Sequence, residues 1–120
     1  MELIIEKDKE IDNSTIYIKI YKLHKSYLMM ISDHEEMGIG NVSLGNPPTI
    51  AGIKASVASF ELFGLGNNII NKVIVERAAS FLKAPVLLLF FLRSRTFEES
   101  FLKSLIKFLN DILNEINIDK

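Results

Sequence analysis

The chain has 120 residues, no cysteine, 48% hydrophobic and 24% charged residues, and a formal net charge of −1. That length suits one domain spanning residues 1–120. The apolar content excludes global disorder, and the lack of cysteine excludes disulfides and thiolate metal sites. A mean hydropathy of +0.23 is high for so small a domain, which hides a smaller share of its surface than a large one.

Residues 2–5 suit a short strand, and Lys7 to Asn13 reads as polar and turn-like. Thr15 to Leu23 alternates, with Ile16, Ile18 and Ile20 on one side and Tyr17, Lys19 and Tyr21 on the other, which predicts a strand. His24-Lys25-Ser26 follows as a hairpin turn, and Tyr27 to Ser32 returns as the next strand. A short strand with a glycine bulge is expected over Gly38 to Leu44, ended by the break Gly45-Asn46-Pro47-Pro48. Ala55 to Phe63 suits a further strand. Gly64-Leu65-Gly66 then turns into a helix capped by Asn67 or Asn68. Pro85 stops that helix near Lys83. Val86 to Leu92 is apolar throughout and reads as a strand buried on both faces. Thr96 and Glu99 have capping-box spacing, opening a long amphipathic helix from Phe97 to Ile116. The expected fold class is α+β: a mostly antiparallel sheet carrying two helices from the C-terminal half, in the order β-β-β-(β)-β-α-β-α.

Several function classes are disfavoured. The longest apolar run, Ala84 to Leu92, is far short of the roughly 20 residues that span a membrane. Glu2 and Glu6 flank the first apolar residues, so no secretory leader is expected, and the cysteine-free composition fits a cytoplasmic location. Residues 1–60 carry 6 Lys and 8 acids, and residues 61–120 carry 8 Lys+Arg and 7 acids, so no basic block exists to track nucleic acid. His34 lies in Asp33-His34-Glu35-Glu36, where adjacent residues seldom converge on one metal and a solvated loop explains them. His24 and Lys54 read as surface residues, and Arg93-Ser94-Arg95 as a small basic loop. Gly64 and Gly66 lack the third glycine of a dinucleotide loop, since Ile69 stands there, and no P-loop Gly-Lys-Ser follows. A tight turn accounts for them, although an anion at the helix start stays open. No nucleophile, base and orienting acid come together in the pattern, so neither an enzyme nor a cofactor is expected.

Coverage is more informative. Tyr27 to Ile31 and Val86 to Leu92 are apolar on both sides, and a sheet of that kind needs both faces covered. One helix on each face would cover both within the chain; a strand at 86–92 lying antiparallel to its neighbours would instead allow both helices on one face, and the other would then meet a partner, most simply a second copy. The expected dimer face is Tyr17, Tyr21, Met29, Met30, Leu88 and Phe90. In a strand buried on both faces, Leu89→Asp is expected to prevent folding.

The run of a strand, Gly64-Leu65-Gly66-Asn67, an amphipathic helix, Ala84-Pro85-Val86-Leu87-Leu88-Leu89-Phe90-Phe91-Leu92, a polar turn and a last helix resembles the proteasome assembly chaperone 3 and 4 family over about residues 55–113. The resemblance implies a small non-catalytic α+β subunit that pairs sheet to sheet and assists assembly of the proteasome α-ring, binding α-subunits. A lone chain of this kind would pair as a homodimer. The alternatives are a longin or roadblock-like dimeric scaffold, for which a helix at residues 2–13 would speak, and a small-ligand-binding domain using the Gly64 to Asn68 turn.

Overall fold

In a computed structural model, the structure describes residues 1–38, 40–47, 56–61, 68–92 and 99–118, with backbone alone for 56–61, 68, 69, 117 and 118. The elements are β1 (Glu2–Ile11), β2 (Ser14–Leu23), β3 (Ser26–Ser32), β4 (Asn41–Asn46), β5 (Ser56–Glu61), α1 (Asn68–Leu82), β6 (Val86–Phe91) and α2 (Glu99–Ile118). They form the expected α+β fold. The six strands lie in the order β1-β2-β3-β6-β4-β5.

Two hairpins build the first half. Ile11 pairs with Ser14 across Asp12 and Asn13, whose φ angles of 50° and 67° are the positive values that two-residue hairpin turns demand and that Asp and Asn tolerate. The polar stretch from Lys7 is therefore strand, not turn. Its charge alternates instead of its hydropathy. Lys7 and Lys9 lie on the side that meets α2, with Lys7 Nζ 3.2 Å from Glu115 and Lys9 Nζ 5.9 Å from the centre of the Phe108 ring. Glu6, Asp8 and Glu10 lie on the other side. A register shift between Leu3 and Ile5 bends this edge strand, a feature that discourages further strand addition. The second hairpin pairs Leu23 with Ser26 through His24 and Lys25.

β6 enters between β3 and β4. It runs parallel to β3, with Tyr27 to Ser32 opposite Val86 to Phe91, and antiparallel to β4. The expectation that it opposes both neighbours is thus half met. Both helices nevertheless share one face, because β5-α1-β6 crosses over β4 and α2 then returns toward β1. β4 starts at Asn41 and runs through Gly45 to Asn46, later than the pattern suggested, and ends before Pro47, which lacks a ladder donor. At Gly45 an added Cβ would sit 2.9 Å from the Val75 carbonyl oxygen, so α1 rests directly on the β4 backbone.

The core lies between that face and the helices. It holds Ile16, Ile18 and Ile20 of β2, Tyr27, Met29 and Ile31 of β3, and Val86, Leu88 and Phe90 of β6. Ile74, Val75, Ala78 and Ala79 of α1 close it on one side and Leu105, Leu109, Ile112 and Leu113 of α2 on the other. Small Ala78 and Ala79 let α1 approach closely. Val73 of α1 points away from this core and is 40% exposed. Asn71 is fully buried, and among the described residues neither its Oδ1 nor its Nδ2 has a hydrogen-bond partner, a local cost at the start of α1. The glycines and Asn67 before α1, and Thr96 before α2, lie outside the described residues.

The end of α1 is set by geometry as well as by Pro85. Lys83 takes φ 57°, and the Ala84 N–H donates to the Ala79 carbonyl at 3.3 Å, the reversal that closes helices through a left-handed residue. Glycine is the residue that makes this bend without strain, so Lys83→Gly is expected to raise stability by about 0.5–1 kcal/mol. A urea midpoint below that of the parent would contradict this.

Two adjacent positions on β6 separate the faces. Leu88 is fully buried under the helices, whereas Leu89 faces away and is partly exposed. This overturns the expectation for Leu89→Asp. Leu88→Asp should abolish folding, because an unpaired buried charge costs several kcal/mol of a total of about 5–15. Leu89→Asp should keep the native circular dichroism spectrum with a lowered melting temperature. Equal loss of structure in both would contradict the assignment of faces.

Candidate interaction face

The face of the sheet away from the helices is apolar and broad. Strand register arranges it in rows. One row runs from β1 to β4 as Leu3, Tyr21, Leu28, Leu87 and Leu44. The next runs Glu6, Lys19, Met30, Leu89 and Val42, and a third runs Asp8, Tyr17, Ser32 and Phe91. Leu3 is 44% and Leu44 is 41% exposed, and Tyr21, Leu28, Met30, Leu87, Leu89 and Val42 are each partly exposed. A contiguous apolar patch of this kind marks an interaction site more often than an accident of folding.

Sequence alternation explains why the patch exists. β2 places polar-tipped Tyr17, Lys19 and Tyr21 opposite its buried isoleucines. β3 and β6 place large apolar residues on both sides, and two helices suffice for only one side. Lys19 Nζ lies 3.3 Å from Glu6 Oε2, which neutralises the charge nearest the patch.

One end of the face is covered by the chain itself. Asp33 to Gly38 bends back after β3. The Ser32 hydroxyl accepts the His34 N–H at 3.0 Å, and His34 Nδ1 accepts the Glu36 N–H at 3.0 Å. Gly38 lies so close to Phe91 that an added Cβ would fall 2.7 Å from a ring carbon. The glycine read from sequence as a bulge is therefore a contact point that a larger residue would obstruct.

Of the six residues expected on a dimer face, Tyr17, Tyr21 and Met30 do lie together on this open face. Met29, Leu88 and Phe90 do not. They occupy the opposite parity of β3 and β6 and are 0%, 0% and 3% exposed beneath the helices. Sequence alternation shows that Met29 and Met30 cannot share a face. It does not say which of them the helices cover, and the expected set mixed the two. Leu28, Leu87, Leu89, Val42 and Leu44 were missed, though they follow from the register once Met30 is placed.

Other candidate chemistry is sparse. His34 is bound up in its own loop turn, and among the described residues no three His, Asp or Glu side chains gather where a metal could sit. A shallow groove on the outer side of the helices is lined by Val73, Glu76, Arg77, Ser80, Phe81 and Asn110, with Arg77 Nη1 donating to Asn110 Oδ1 at 3.4 Å. Among the described residues no helix is long and apolar enough to cross a membrane. Gly64, Gly66 and Asn67, the expected turn and cap, fall outside the described residues, and so does the anion site considered there.

No protein-family model matches the chain, and no curated protein matches it. Its fold does match a solved structure. A chain of a chaperone complex for yeast 20S proteasome assembly superposes with a TM-score of 0.58 at 9% identity, over 98% of this chain and 98% of that one. At that identity the likeness establishes a shared fold from end to end.

Proposed function

We propose that this protein is a non-catalytic assembly chaperone that acts as a homodimer, binds proteasome α-subunits and assists formation of the α-ring in the cytoplasm. The observation that carries the reading is the uncovered apolar sheet face on a fold shared, over its whole length, with a chain of a proteasome assembly chaperone complex. A sheet face that the described residues leave open suits contact with another protein. Burying apolar surface returns about 25 cal/mol per Å² before the costs of association, so covering this face favours pairing.

A roadblock-like scaffold is the weaker alternative. The helix at residues 2–13 that would speak for it is absent, and those residues form β1 and its turn.

The test is reconstitution. The purified chain, mixed with individual proteasome α-subunits from the same source, is expected to co-elute with at least one of them on size exclusion and to accelerate ring formation on native gels. Failure to co-elute with any α-subunit, under conditions where those subunits still assemble, would overturn the chaperone reading.

A further inference from the structure

We draw no further inference here: the strongest candidate, the buried side-chain amide of Asn71 in the first turn of α1, whose Oδ1 and Nδ2 have no hydrogen-bond partner among the described residues, carries nothing because the chain entering that turn lies outside the described residues and nothing in the structure shows what the amide would hold.

Discussion

The structure depends on one constraint: β6 is apolar on both sides, and the helices cover only one. Val86, Leu88 and Phe90 are sealed against α1 and α2, while Leu87, Leu89 and Phe91 face the other way beside Leu28 and Met30 of β3. A strand at the sheet's centre that joins a parallel neighbour to an antiparallel one ordinarily has cover on both sides. Here both helices must share a face, because α1 crosses over β4 between two strands of the same sheet and α2 returns from β6 toward β1. Among the described residues, the segment from Asp33 to Gly38 shields the Phe91 end.

Close packing on the covered side explains how two helices fill it. Gly45 lets the backbone of α1 approach β4, and Ala78 and Ala79 keep the helix near the sheet. The left-handed turn at Lys83 then sends the chain straight into β6, whose neighbour Tyr27 donates its N–H to the Pro85 carbonyl at 3.0 Å. At the far edge, Lys7 and Lys9 reach α2 with their long apolar stems, so β1 closes the core without contributing a full apolar side. The acids of β1 are the counterpart of this arrangement. They occupy the open face, and they confine its apolar part to the other strands.

Much of this was legible in the amino-acid order, and the exceptions have physical causes. Alternation in Thr15 to Leu23, the apolar run Val86 to Leu92 and the stripe from Leu105 to Ile116 each predict their element, because period and residue type agree. The part of β1 from Lys7 onward escaped because its alternation is between lysines and acids, which a hydropathy pattern does not register. The residues of the open face escaped in part because alternation separates Met29 from Met30 without saying which side the helices take. That choice depends on the crossover of α1, a long-range fact. In sequence the resemblance to proteasome assembly chaperones lies in the second half of the chain, whereas the fold shared with a chain of such a complex covers 98% of it.

The most direct measurement is oxidative footprinting of two adjacent side chains. Met29 and Met30 differ by one residue in sequence and point to opposite faces of β3. If the open face is completed by a second chain, Met30 should oxidise readily in dilute solution and become protected as concentration rises, while Met29 stays protected throughout. Exposed Met1 supplies the unprotected reference. Oxidation of Met30 that does not change with concentration, or Met29 reacting as fast as Met30, would contradict a sheet with one sealed face and one completed by pairing.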